Sequence, residues 1–260
     1  MMRFWLVLLI FLYPLTAYGL YQSSYYDFDG VLEYNYQTYR KESKEKLFQE
    51  KFTLSKLNDN GRDFLVIQSN SQALPANPEK FDKETITYYL INDQKKMSTY
   101  YHENKTVKDK NPFLSLKINF DWARKKALYR LNNEAERKQE NNNFNLSSRT
   151  MLTHDLGPFF QDMVLNQKKD EPFTVVFPTG RMLNLRAKVT GTETVKTRAG
   201  DYLCRKIEMK PDFSLLSMLA PTITFWFMTQ PPYTFVRYEG PERGLNSPTV
   251  VQELVGINKL

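Results

Sequence analysis

Cysteine is almost missing from this chain of 260 residues: Cys204 is the only one. No disulfide can form within the chain, so the fold must rest on its core. Histidine is nearly as scarce, with His102 and His154 alone, and one thiol and two scattered imidazoles cannot supply a zinc site of the usual spacing. Phosphate-cradling glycine loops, dinucleotide fingerprints and calcium loops are absent as well; the glycines of "PTGRM" and "GPERG" read as turns between strands. No cofactor and no metal are expected. Basic residues are plentiful but never massed. The net charge is +7, yet Lys and Arg alternate with acids in stretches such as "RKESKEKLFQEK". That is the pattern of a solvated face and excludes a nucleic-acid footprint; the modest excess suits peripheral contact with anionic lipid headgroups.

One long apolar run is present, and it opens the chain. A single basic residue, Arg3, precedes an apolar stretch over 4–15, and the small residues Ala17 and Gly19 follow in the arrangement a signal peptidase accepts. Cleavage after Gly19 is predicted, leaving residues 20–260 as one mostly-β domain. The alternative is an uncleaved anchor, for which the run is short against the ~20 apolar residues of a bilayer span. Export without disulfides, in a chain rich in Lys, Asn and Tyr, fits the periplasm of a bacterial envelope.

From Gly30 onward the apolar period is two. In "VLEYNYQTY" Leu32, Tyr34 and Tyr36 share one face, and in "LFQEKFTL" Phe48, Phe52 and Leu54 repeat it, as half-buried antiparallel strands require. Turn signals at 58–61, 74–78 and 92–95 separate the runs. Further strands are predicted over 85–91, 97–103, 116–122, 127–132, 144–149, 173–177, 182–195, 202–210, 223–228, 233–239 and 249–256. The fold class is mostly β: a single large curved antiparallel sheet or open barrel, a meander of many short strands. The segment "THDLGPFFQDMVLNQ" breaks the alternation and predicts one short helix near 156–166, with Asp155 as a cap and Pro158 in the first turn. His154 beside Asp155 reads as a cap or loop pair, since no nucleophile is placed near it by any motif.

With catalytic motifs missing, the rings stand out: 18 Phe, 16 Tyr and 3 Trp. Neighbouring rings in a strand point to opposite faces, so "ITFWFM" carries rings on both. Phe225, Trp226 and Phe227 are either core with tyrosines at its rim or the lining of an apolar groove for a lipid or another long hydrophobic ligand. Arg237 is a candidate polar contact in the next strand. Cys204, between Leu203 and Arg205 in a strand, reads as a buried thiol. On the strand from Leu183, alternation turns Glu193 inward unless Gly191 marks a bulge. A loop of 198–201 would set Glu193 opposite Lys206, an ion pair that fixes register or a contact for a ligand headgroup.

The stretches "GTETVKTRAGDYLCRKIE", "ITFWFMTQPPYTFVRYE" and "VVQELVG" resemble the bacterial exported family catalogued as domain-of-unknown-function family 3108. The matching positions are Glu193, Val195, Thr197, Ala199, Gly200 and Tyr202, then Trp226, then Arg237 and Glu239. The likeness is densest over 155–256; "TQPPYTFVR" departs from it where relatives tend to carry an aspartate before the proline. The resemblance implies an exported, mostly β protein and, by analogy of fold, something like the half-barrels that carry lipids or lipoproteins across the periplasm. The expected function is therefore non-catalytic: an envelope protein binding a lipid or other hydrophobic ligand within a curved sheet. The alternatives are an envelope interaction protein docking a protein partner, for instance through the apolar stretch at 214–221, and an enzyme acting on envelope polymers.

Overall fold

A computed structural model of the chain describes residues 21–22, 28–78, 80–147, 149–176, 182–212, 220–242 and 247–260. The predicted leader and most of 214–221 lie outside these. After a two-residue strand β1 (Tyr21–Gln22), eight long strands follow: β2 (Leu32–Arg40), β3 (Lys46–Asp59), β4 (Arg62–Ala73), β5 (Phe81–Ile91), β6 (Lys96–Lys108), β7 (Asn111–Asp121), β8 (Lys126–Asn133) and β9 (Lys138–Asn145). Each pairs antiparallel with the next. Hairpin chemistry explains this regularity. At the β3–β4 turn, Asn60 and Gly61 both take positive φ (51° and 76°), which a two-residue loop matching strand twist requires. The strands are longer than the short meander expected from sequence. In β4 the alternation vanishes because Phe64, Leu65 and Val66 are buried in succession, on both faces.

A strap then crosses the sheet: β10 (Thr150–Leu152), a 3-10 turn (Thr153–Asp155) and the helix α1 (Leu156–Leu165). Pro158 fits the first helical turn, where no backbone N–H is needed. Every residue from Pro158 to Val164 is buried, so the helix is packed all round instead of lying on a surface. The chain returns as β11 (Asp170–Val176), β12 (Met182–Thr197), β13 (Gly200–Pro211), β14 (Ile223–Met228), β15 (Phe235–Pro241) and β16 (Thr249–Lys259).

Spatial order differs from chain order. The sheet runs β10 to β16 and continues through β2 to β9, so the first long strand and the last pair in its middle. β10 and β11 are parallel, the exception among the described pairs. The two ends of this order, β9 and β10, are joined by only residues 146–149. At ~3.6 Å per residue that link reaches less than about 20 Å, so the sheet must roll until its edges approach. The roll stops short of closure: a cleft of about 790 Å³, lined by Asn142 and Asn143 on one side and Thr174 and Asn184 on the other, separates the edges. The roll is tight elsewhere, with Cα atoms of β12 within 8 Å of β15 and β16.

Inside the roll, Phe160 is fully buried, 4.6 Å from the Phe225 ring and 5.9 Å from that of Phe227. Gln161 donates to the Pro232 carbonyl at 2.6 Å, and Asp162 accepts from the Gln22 amide at 2.9 Å and from Lys168 Nζ at 2.8 Å. The helix is thus tied to the β14–β15 turn and to β1. A second cluster, built on Leu116, Ile118, Phe120 and Tyr129, meets Leu152 and Val176 across the seam.

Candidate functional site

Alternation along β14 divides the sequence-predicted residues between two faces. Phe225 and Phe227 point to the helix. Trp226 points the other way, opposite Lys206 on one side and Arg237 on the other. Glu193 and Lys206 share that reverse face with it, so the structure brings Trp226, Arg237, Glu193 and Lys206 together and sets the two phenylalanines apart.

The expected pairing of Glu193 with Lys206 is corrected. The hairpin loop is two residues, Arg198 and Ala199, with Thr197 paired to Gly200 at φ 136°, so register shifts by two against a four-residue loop. Glu193 lies opposite Cys204, and Lys206 opposite Gly191. A bulge at Thr190 also resets the facing, so Glu193 is exposed and not inward. Its Oε1 accepts the Trp226 indole N–H at 2.6 Å. Lys206 sits 6.0 Å from the Trp226 ring centroid and 3.4 Å from Glu208 Oε1. Arg237 bonds Glu253 at 3.0 Å, and the same carboxylate oxygen accepts from Tyr39 at 3.0 Å. These groups stitch β12 through β16 to β2. Cys204 is buried beside them as expected, its thiol pushed up to about 12 by burial and then by the Glu193 charge, which removes the thiolate needed for reactivity.

The helix-bearing face has room to bind. Under the strap lies a cavity of about 330 Å³ walled by Tyr36, Phe52, Phe225, Phe227 and Phe235, with Leu156 and Pro158 above. Beside it, toward β7, a second cavity of about 420 Å³ is walled by Phe81, Phe113, Leu116, Ile118 and Leu152. Thr85 and Thr153 line both, so the two form one trough crossing the strands from β2 to β7. Both volumes fall within the ~300–1,000 Å³ of small-molecule sites. The rings are held by contacts of their own: Tyr36 lies 5.3 Å from Phe52 and from Phe235, and its hydroxyl donates to the Phe235 carbonyl at 2.9 Å. The space arises because β4 and β5 place Ser69 and Thr85 there, their hydroxyl oxygens 2.5 Å apart. None of this lining except Phe225 and Phe227 was singled out from sequence as a site. The signal was the shared face of Tyr34, Tyr36, Phe52 and Leu54, but alternation gives no hint that hydroxyl residues lie beside it.

The strap itself carries a buried polar group. Asp155 accepts from Thr99 Oγ1 at 2.8 Å, Tyr89 Oη at 3.1 Å and the Leu152 amide at 3.0 Å. Its carboxylate therefore caps the 3-10 turn and pins the strap to β5 and β6. Burial raises its pKa above the ordinary value, opposed by these hydrogen bonds and by His102. His102 lines the second cavity, with Nδ1 2.9 Å from Thr87 Oγ1. Among the described residues, no group of three or more His, Cys, Asp or Glu could hold a metal ion.

A rolled, incompletely closed β sheet that wraps a buried helix and keeps an apolar trough is the class of protein this architecture defines. The chain belongs to the family described as protein of unknown function, DUF3108, which matches residues 51–243. The family thus reaches well N-terminal to the stretch where the resemblance is densest. No curated protein matches the chain. Among solved structures it is similar to the β-barrel-like protein of domain of unknown function DUF1849 from Brucella abortus, at 11% identity over 88% of this chain and 97% of that one, with a TM-score of 0.52. A looser match, TM-score 0.39 and 9% identity over 93% and 100% of the two chains, is to a Bacteroides fragilis protein with a YmcC-like fold, provisionally named as exported.

Proposed function

We propose that this protein works by binding and not by catalysis, holding a lipid or other long hydrophobic ligand in the trough under the strap. The observation that supports it is the pair of adjoining cavities joined at Thr85 and Thr153, walled by rings and aliphatic side chains and roofed by the start of α1. A site of this kind gains affinity from apolar area taken out of water, at ~25 cal/mol per Å². The apolar leader with Ala17 and Gly19 supports the reading of an exported envelope protein; the protein recovered there is expected to begin at Leu20, and an intact Met1 in a cytoplasmic fraction would overturn that assignment.

Mass spectrometry of organic extracts tests the binding. Wild-type protein purified from the envelope should release a reproducible set of apolar molecules, while a folded Thr85→Phe variant, with a ring filling the wall common to both cavities, should release little. Equal yields from the two proteins would place any ligand elsewhere. An empty wild-type protein that takes up no long-chain probe would end the binding reading.

A further inference from the structure

The geometry points to an anionic amphiphile as the ligand, a long apolar chain with one acidic head, seated with the head at Lys83 and the chain running under Thr153. This rests on the trough being a binding site and adds its polarity. Among the residues lining the two cavities, Lys83 is the one Lys, Arg, Asp or Glu. It is exposed at the rim, opposite Thr106 in register. Thr106 Oγ1 donates to Asn104 Oδ1 at 3.3 Å, which leaves the Asn104 amide N–H groups as donors on the same wall. A second cation stands at this end: Lys108, opposite Phe81, holds its Nζ 5.3 Å from that ring, and Phe81 packs on Phe113 at 4.8 Å.

Against burial, the Lys83 charge lowers the pKa of Glu50, an acid with hydrogen-bond partners of its own. Its carboxylate accepts from Gln252 and bonds Ser71 and Thr38, and burial raises its pKa, favouring the neutral form. Neither Lys83 nor Lys108 forms an ion pair among the described residues. The cavity walled by Phe52 and Phe235 has no charged lining at all. One end of the trough therefore carries a cation and hydrogen-bond donors beside its rings, and the other has rings and no charge. A carboxylate or phosphate head makes a charge-assisted hydrogen bond with Lys83 that a neutral oil cannot make, and a cationic amphiphile would be repelled.

Calorimetric titration of the full-length mature protein with oleate, oleyl alcohol and an oleoyl lysophosphatidic acid tests this, because the three share a chain and differ in the head. At least one acid should bind about tenfold or more tightly than the alcohol, the size of a charge-assisted contact. Lys83→Gln should abolish that preference with the alcohol's affinity unchanged, and Lys83→Arg should restore it. Which acid binds more tightly tells whether the head is a carboxylate or a phosphate. If wild type binds alcohol and acids equally, or if folded Lys83→Gln keeps the preference, the assignment of the head is wrong while the trough stands. If none of the three binds, both readings fall.

Discussion

The strands packed on the body of α1 and the strands β4 and β5 beyond its first turn are built by the same alternation, yet the first close on the helix with rings and the second leave a hollow. In β11 and β14 the helix-facing positions carry Phe173, Phe225 and Phe227, which pack on Phe159 and Phe160, while Phe225 and Phe227 also wall the first cavity. In β4 and β5 the equivalent positions carry Ser69, Ser71, Thr85 and Thr87. Hydroxyl side chains can satisfy one another within a sheet, as Ser69 and Thr85 do, but they are too short to meet the strap. Interiors elsewhere are close-packed. The void over small hydroxyl residues, facing rings from β2 and β3, is the space the proposed ligand would fill.

Substitutions should separate the two sets of strands, and the largest effect belongs to the set closed on the helix. Phe160→Ala removes a ring with contacts to Phe159, Phe173, Phe225 and Phe227 and is expected to cost ~3–5 kcal/mol in urea unfolding. A loss below about 1 kcal/mol would mean that the helix does not organise the roll. Next comes the strap anchor. Asp155→Ala strands the Thr99, Tyr89 and Leu152 donors and should cost ~1–3 kcal/mol. Its pH dependence has a definite sign. The folded-state pKa is raised above the unfolded value, so the group's contribution is fully present below the unfolded pKa and is lost as pH rises through the folded pKa. Wild type should gain stability relative to Asp155→Asn as the solution is acidified, and a difference that is flat or of opposite slope would contradict the burial of this carboxylate.

At the hollow the expected response is weaker. Thr85→Leu adds apolar bulk where there is space, so its cost should be limited to the lost Ser69 hydroxyl contact, about 1 kcal/mol, without the further ~1–3 kcal/mol that the same enlargement costs in a filled core. Thermal unfolding of this variant checks it directly. The smallest effect concerns the reverse face. Glu193 and Lys206 are not paired with each other, so Glu193→Gln and Lys206→Met should each cost below about 1 kcal/mol, and the double variant should be additive within ~0.5 kcal/mol. A coupling larger than that would show the two charges to interact in spite of their register.

Much of this protein was legible in its residues. Ring and aliphatic positions spaced by two in "VLEYNYQTY" and "LFQEKFTL" announced β2 and β3, the "NDNG" turn announced their successor, and "LGPFFQDMVL" announced the helix over its observed range, because period and turn chemistry are local properties of a chain. The splitting of Phe225 and Phe227 from Trp226 was equally implicit, since a strand has no other way to place neighbours. Tertiary structure decided what depends on partners far away in sequence. It paired β16 with β2, brought the β9 and β10 edges together through four residues, and set Ser69 and Thr85 under the strap so that a trough remained. It also chose a two-residue loop at Arg198 and Ala199 and a bulge at Thr190, which moved Glu193 from a supposed buried ion pair to an exposed bond with Trp226. Alternation tells which residues share a face; register, which depends on loop length and bulges, tells which of them meet.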